Sequence, residues 1–355
     1  MIDQNNKNGQ NDQQNQTYRD DPFAASDIYG QSDQNDPYAQ YFNQNQPRRR
    51  TIFESFSGFA DGKTVFTTVL KSLLFVLLFV AIQNVIILAF ELPMAIELTL
   101  QGITDEKELG TRIIEALSPY TNYLSALSGL LTIAAVFIIF ACKKRNPLKE
   151  LSFNKTKIST IIICIFAGIA LNFSCNILFM FMPTEWMTEY SQASEGLDTG
   201  SLLSYIIGGV IMAPITEEII FRGAVMKRCS KCMPAIFASL VAAVVFGVCH
   251  GNIVWAIYAG TLGFIIGLVF ARFDSIIPCI TLHLAFNSVS AVQRMVMDLP
   301  TVKNMTEAQE LIFNGAFTII SFAMVAVSVA LVTVLMTNEK LLVKKTPKES
   351  FIPNE

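Results

Sequence analysis

Ionisable residues interrupt three strongly apolar stretches of this chain. The chain has two histidines, His250 and His283, and each lies in one of these stretches; the third carries Glu217 and Glu218, followed by Arg222. Ionisable groups inside a membrane are costly, about 2.5–3.5 kcal/mol each on insertion scales, and they usually have a function. The pattern therefore predicts an intramembrane site for a reaction or for transport.

The spacing of the acidic pair assigns its two members to different helix faces. Glu218 and Arg222 are four residues apart, so on one helix they share a face and can neutralise each other. Glu217 points about 100° away and has no partner nearby in the sequence, which makes it the candidate general base. A plainer interpretation is that all three residues mark the cytoplasmic end of a helix.

Each histidine segment adds a second residue one helical turn away. Phe246 precedes His250 by four residues, and Asn287 follows His283 by four, so each pair projects from one helix face. An imidazole can hold a metal or orient a water, and an asparagine amide can donate to a developing oxyanion. Together with Glu217, these side chains are a candidate set for hydrolysing an amide bond.

The composition predicts an all-α polytopic membrane protein. Of its residues, 52% are hydrophobic and 15% are charged, whereas a soluble chain carries roughly 25% charged residues. Eight segments approach the ~20 residues that cross a bilayer. They are residues 72–90, 123–142, 158–182, 202–221, 235–250, 253–271, 275–295 and 311–336.

The charged residues between these segments predict their orientation. Lys and Arg are concentrated in residues 143–157, in the turn 222–231 and in the tail 340–348, whereas residues 91–122 and 183–200 lean acidic. By the positive-inside rule, the basic segments and both termini are cytoplasmic. If the organism is bacterial, the expected location is the cell membrane.

The three polar elements, taken in order, resemble the signature of a known family. They are Glu217-Glu218-x-x-x-Arg222, Phe246-x-x-x-His250 and His283-x-x-x-Asn287. The resemblance is to the CAAX prenyl endopeptidases and bacteriocin-processing enzymes, the CPBP or Abi family. It implies an intramembrane, glutamate-dependent endopeptidase, often classed as a metalloprotease, that acts on a peptide or membrane-protein substrate.

The resemblance also implies a role for each residue. Glu217 would activate water, His250 would position that water or a metal, and His283 with Asn287 would steady the oxyanion. Glu218, Arg222 and Phe246 would support them. Zinc held by His250 and His283 is one alternative, and activation of water without a metal is the other.

Composition and the resemblance together divide the chain into five regions. Residues 201–294 are the expected catalytic core, preceded by three membrane helices and loops in 72–200 and followed by a last helix and basic tail in 295–355. Residues 51–71 are an expected amphipathic segment. Residues 1–50 are rich in Asn, Gln and Asp, which predicts a disordered cytoplasmic tail.

The predicted helices raise a problem of depth. At ~1.5 Å per residue, Glu217 and His283 lie within about 15 Å of the cytoplasmic face, whereas a straight helix from Ala235 carries His250 to about 24 Å. Only two residues separate this helix from the next. We therefore predict a shallow or tilted hairpin whose tip brings His250 beside Glu217.

Two functions without proteolysis stay open at this stage. One is a membrane immunity, scaffold or secretion-assisting protein that uses the polar cluster for binding. The other is a proton-coupled transporter in which Glu217, His250 and His283 relay protons. The sequence contains no nucleotide-binding or nucleic-acid-binding motif, and it does not indicate an oligomeric state.

Overall fold

A computed structural model describes residues 58–195 and 200–343, which form helices and no strand. In chain order the helices are α1 (Gly62–Leu100), α2 (Glu106–Leu117), α3 (Thr121–Cys142), α4 (Pro147–Glu150), α5 (Ile158–Phe179), α6 (Thr184–Glu195), α7 (Leu202–Cys229), α8 (Ala235–Val248), α9 (Ile253–Phe273), α10 (Ile276–Met297), α11 (Pro300–Lys303) and α12 (Glu307–Thr337). The predicted tail 1–50, residues 51–57 and the basic residues beyond 343 lie outside the described residues.

Seven membrane spans are long and apolar enough within the described residues. They are α1, the continuous unit Glu106–Cys142 that contains α2 and α3, and the helices α5, α7, α9, α10 and α12. The fifth predicted span, residues 235–250, contains α8, which is apolar but has only 14 residues, about 21 Å against a hydrocarbon core of ~30 Å. The all-α polytopic fold is thus confirmed. The helix α8 is shorter than its predicted span, whereas the placing of His250 beside Glu217 stays a prediction.

Two of the helices extend well beyond their predicted ends. The helix α1 continues on both sides of the predicted span and has Pro93 inside it. The helix α7 continues past Arg222 to Cys229. Placing Arg222 in a basic turn was therefore wrong. A hydropathy pattern predicts that a span ends at a charged residue, but the charge of Arg222 is paired with Glu218 inside the protein.

The helix α7 departs from regular α geometry on either side of Glu217. It is π-helical over Ile206–Met212 and again over Glu218–Met226. Between these segments lies Pro214, which has no backbone N–H and cannot donate the regular bond to the carbonyl four residues earlier. Such wide turns occur frequently at functional sites.

Small residues let the helices around α9 and α10 approach closely. A Cβ on Gly267 of α9 would collide with the Ser239 hydroxyl of α8, and one on Gly263 would lie 2.9 Å from the Phe246 ring. A Cβ on Gly168 of α5 would collide with the carbonyl oxygen of Leu282, on α10. These contacts fix the positions of α10, which carries His283, and α8, which carries Phe246.

We expect Gly168→Ala to destabilise the protein by about 1–3 kcal/mol, because the new methyl group forces α5 and α10 apart. Gly315→Ala is the matched control: it lies within α12, where nothing is within 4 Å of an added Cβ. The control should be neutral or slightly stabilising. Thermal unfolding in one detergent compares the two variants. Equal stability would show that the space between α5 and α10 can accommodate the methyl group.

Candidate active site

Three parts of the fold bring the predicted residues together. The centre of α7 carries Glu217, Glu218 and Arg222; the end of α8 and the turn after it carry Phe246 and His250; and α10 carries His283 and Asn287. Side-chain caps fix where the flanking helices begin. Asn252 accepts from the backbone N–H of Val254 (2.9 Å) at the start of α9, and Ser275 accepts from that of Ile277 (3.3 Å) at the start of α10.

A buried ion pair lies at the core of the site. Arg222 Nη1 donates to Glu218 Oε1 at 2.7 Å, and Arg222 Nη2 donates to the carbonyl oxygen of Gly263 at 2.8 Å. Both residues are fully buried, with 0% exposure. The predicted mutual neutralisation is thus observed. The interpretation that these residues mark a helix end does not fit their burial within α7.

Glu218 also holds His283. The Nδ1 atom of His283 lies 2.8 Å from the same Glu218 Oε1 that accepts from Arg222. An ionised carboxylate can only accept, so the Nδ1–H of the imidazole is the donor. This orients the opposite nitrogen, Nε2, which lies 3.7 Å from Glu217 Oε2.

Glu217 differs from its neighbour in access to water. Its side chain is 17% exposed, whereas that of Glu218 is 0% exposed. The separation of 3.7 Å from His283 Nε2 is longer than a hydrogen bond. Two atoms at this separation can each reach one shared water at about 2.8 Å.

The Phe246 ring packs against most of the site. It makes edge-to-face contacts with His250 (centroids 4.8 Å apart), His283 (6.0 Å) and Phe221 (5.0 Å). The guanidinium carbon of Arg222 lies 5.2 Å from the same ring centroid. Phe246 was predicted to support the site, and in this position it is the apolar wall that separates the two imidazoles.

His250 is oriented by its own backbone. Its Nδ1 lies 2.8 Å from the carbonyl oxygen of Phe246, which can only accept. In the neutral ring the proton is therefore on Nδ1, and Nε2 is the acceptor. The short hairpin holds His250 against Phe246, and Phe246 contacts His283, the neighbour of Glu217.

Asn287 makes a contact that the sequence did not predict. Its side-chain amide donates to the carbonyl oxygen of Gly209 at 2.8 Å, in the first π-helical segment of α7. Gly209 and Gly263 both belong to the site through backbone carbonyls, which every residue has. No side-chain signal in the sequence could have identified them.

Each histidine uses its Nδ1 atom for a bond within the protein. The Nδ1 of His283 bonds to Glu218, the Nδ1 of His250 bonds to the Phe246 carbonyl, and the Phe246 ring contacts both imidazoles. Within the described residues, no group of three or more His, Cys, Asp or Glu side chains is arranged to hold a metal ion. Bonding at Nδ1 is also the usual arrangement of a metal-bound histidine, whose ligand atom is Nε2, so zinc held by His250 and His283 stays a prediction.

The fold and the site define a class: an integral, multi-pass membrane protein with a buried cluster of Glu, His and Arg side chains. Comparison with known proteins narrows this class. The sequence model of the family described as type II CAAX prenyl endopeptidase Rce1-like matches residues 199–289, which contain every residue of the site. The predicted family resemblance is thus confirmed for this segment.

A curated relative agrees with the family match. The protein named "Putative membrane peptidase YdiL", from Bacillus subtilis (strain 168), is 32% identical over 116 residues. This alignment covers 32% of the present chain and 46% of the relative, so the chain spans less than half of that protein's length. No solved structure matches the chain.

Proposed function

We propose that this protein is an intramembrane endopeptidase in which Glu217 activates the attacking water. The observation that carries the proposal is the chain of contacts from Arg222 through Glu218 to His283, which turns His283 Nε2 toward Glu217. The family match over residues 199–289 and the printed name of the relative support the same class of reaction.

The proposal assigns a charge to each member of the site. With His283 protonated, Arg222 and His283 carry two positive charges, and Glu217 and Glu218 carry two negative charges. A neutral cluster of paired charges is much less costly in a low-dielectric interior than an unpaired charge. In this state both nitrogens of His283 are donors: Nδ1–H bonds to Glu218, and Nε2–H points toward the reaction space.

The reaction then needs no further proton donor. Glu217 accepts a proton from water while the water oxygen attacks the carbonyl carbon of the peptide bond. The tetrahedral oxyanion accepts from His283 Nε2–H and from the second N–H of Asn287, whose first N–H is bonded to Gly209. Glu217 returns the proton to the leaving nitrogen as the C–N bond breaks, giving a carboxylic acid and an amine; transfer of the acid's proton to the amine then leaves a carboxylate and an ammonium group.

His250 has a separate role in this proposal. Its Nε2, the acceptor nitrogen of the neutral ring, orients the attacking water from the side of the α8–α9 turn.

A metal would polarise the substrate carbonyl or the water if it were bound, and neutral imidazoles would be its ligands. Activation by the carboxylate and imidazoles is preferred here because, within the described residues, no group of three or more His, Cys, Asp or Glu side chains is placed to hold a metal ion.

A cleavage assay tests the proposed function. The full chain in nanodiscs is incubated with an internally quenched peptide library, and the products and the bound metal are measured on the same samples. We expect the parent protein to hydrolyse peptide bonds and His283→Ala to lose at least 100-fold in rate, because an oxyanion donor contributes about 10²–10³.

Two results would count against the proposal. Well-folded parent protein that cleaves nothing, with or without added zinc, would favour a binding or scaffold function. Activity that rises and falls with bound zinc would replace unaided water activation with a metal mechanism.

A further inference from the structure

A buried asparagine on α5 lies outside the candidate active site. Asn172 is 0% exposed, and α5 ends at Phe179, before the matched segment 199–289 begins. A polar side chain inside an apolar helix is costly unless its hydrogen bonds are made within the protein, and in membrane proteins such bonds often join two helices. The partners of Asn172 therefore indicate which helices it holds together.

The amide of Asn172 bonds to α10 directly behind the candidate site. Its Nδ2 atom lies 3.0 Å from the carbonyl oxygen of Phe286 and 3.2 Å from the hydroxyl oxygen of Ser290. A carbonyl oxygen can only accept, so the amide N–H of Asn172 is the donor. In the sequence, Phe286 lies between His283 and Asn287. The bond therefore joins α5 to the part of α10 that carries both site residues.

The oxygen end of the same amide also has a partner. The side-chain Nδ2 of Asn176, one turn further along α5, lies 3.4 Å from Asn172 Oδ1 and 2.9 Å from the backbone carbonyl oxygen of Asn172. An amide whose oxygen accepts from Asn176 presents its N–H groups to the other side. The orientation of the Asn172 amide is thus fixed at both ends.

A close contact one helical turn away fixes the same two helices. Gly168 precedes Asn172 by four residues and lies on the same face of α5. A Cβ added to Gly168 would collide with the carbonyl oxygen of Leu282 and would lie 2.9 Å from the Cβ of Ala285, both on α10. The contact at Gly168 sets the distance between the two helices, and the hydrogen bond from Asn172 sets their register along the axis.

The amide of Asn172 reaches a third helix as well. Its Nδ2 lies 3.3 Å from the hydroxyl oxygen of Tyr258 on α9. The Tyr258 ring is stacked on Phe179 of α5 and tilted against Phe286 of α10, with centroids 5.3 Å and 5.4 Å apart. The helix α9 also supplies the backbone carbonyl that accepts from Arg222. Asn172 therefore lies where three helices of the bundle meet.

From these contacts we propose that Asn172 is a positioning residue for hydrolysis and acts through α10. Its hydrogen bond holds α10 at one register. At this register His283 Nε2 faces Glu217, and Asn287 reaches α7. A displacement of about 1 Å in a reacting group can cost about 10²-fold in rate. The inference rests on the proposed function, because it gives Asn172 a part in that reaction.

The side chain of His283 can be observed directly, because the chain has only two histidines. The full chain, without a histidine tag, is labelled with ¹⁵N-histidine and reconstituted in nanodiscs, and His283→Gln assigns the two sets of imidazole NMR signals. Asn172→Leu keeps a similar volume but cannot donate. We expect it to shift or broaden the Nδ1–H signal of His283, because the ring moves relative to Glu218.

The rate of hydrolysis is measured on the same variant. We expect Asn172→Leu to lower kcat by roughly 10–100-fold and to change KM little, because the groups that act on the transition state are displaced. Ser174→Ala is the matched control on the same helix. It also removes a hydrogen bond between membrane helices, from Ser174 to Ser328 at 2.6 Å, but this bond joins α5 to α12. The control should keep both the His283 signals and the rate of the parent.

A second variant, Asn172→Ser, guards against a failure to fold. The Ser174 hydroxyl bonds to the carbonyl oxygen of Ala170 within α5, and a serine at position 172 can bond within the helix in the same way. Parent-like His283 signals or a parent-like rate in the Asn172 variants would overturn the inference, as would equal shifts in Ser174→Ala.

The spectra separate this inference from the proposed function. A parent protein that cleaves nothing would refute the proposed function. A shifted His283 signal in the Asn172 variants alone would still establish that Asn172 positions this histidine through α10. Cleavage by the parent, combined with unchanged His283 signals in those variants, would leave the proposed function standing and overturn the role of Asn172.

Discussion

Glu217→Gln is expected to slow peptide hydrolysis by about 10²–10⁴-fold, the contribution of a positioned general base. The amide keeps the shape of the carboxylate but cannot accept a proton from water. Because the Glu217 side chain is partly exposed and lies beyond hydrogen-bond distance of His283, the change should cost less stability than Glu218→Gln. Initial rates on a cleaved library peptide measure the first effect, and thermal unfolding measures the second.

The control for Glu217→Gln is a glutamate of the same chain outside the site. Glu185→Gln, at an exposed position of α6, should retain the parent rate. A Glu217→Gln rate within threefold of the parent would remove Glu217 from the reaction. Equal losses in the two variants would point to a general effect of charge on substrate binding.

Glu218→Gln is expected to destabilise the protein by about 3–5 kcal/mol, because it leaves Arg222 as an uncompensated buried charge. Hydrolysis should also fall, since His283 loses the charged acceptor that fixes its ring. The matched control is Glu108→Gln, which breaks an exposed ion pair with Arg112 at the same spacing. The control should change stability by no more than about 1 kcal/mol.

A double variant separates the effect of Glu218 on stability from its effect on activity. Replacing both partners, as in Glu218→Leu/Arg222→Met, should recover most of the lost stability, because no buried charge is left unpaired. It should not recover activity, since His283 still lacks its acceptor. A double variant as active as the parent would contradict the positioning role of Glu218.

Local spacing was enough to predict part of the site. The interval of four residues between Glu218 and Arg222 predicted their ion pair, and the hydrophobic runs predicted the helices that carry the site. Both depend on helix geometry alone. The depth of the pair could not be predicted, because a hydropathy pattern takes Arg222 as the end of the helix.

The remaining contacts depend on how the helices meet. Asn287 reaches Gly209 only because α7 and α10 lie side by side at a π-helical turn of α7. Arg222 reaches the carbonyl of Gly263 only because small residues bring α9 close to its neighbours. Neither partner has a side chain that the sequence pattern could have indicated.

The short hairpin was predicted by an argument about depth. A full-length α8 would have carried His250 past the level of Glu217, and only two residues join the segments. In the structure α8 ends at Val248, and the turn that follows includes Gly251 with a φ of 73°. This left-handed conformation favours glycine and reverses the chain within a few residues.

Hydrolysis in ¹⁸O-labelled water tests the central claim most directly. The parent protein and Glu217→Gln are incubated with one cleaved peptide in nanodiscs, and the products are weighed by mass spectrometry. Our account predicts one ¹⁸O atom in the new carboxyl terminus made by the parent and almost no product from Glu217→Gln. Labelled product formed equally by both proteins, or no product from either, would contradict it.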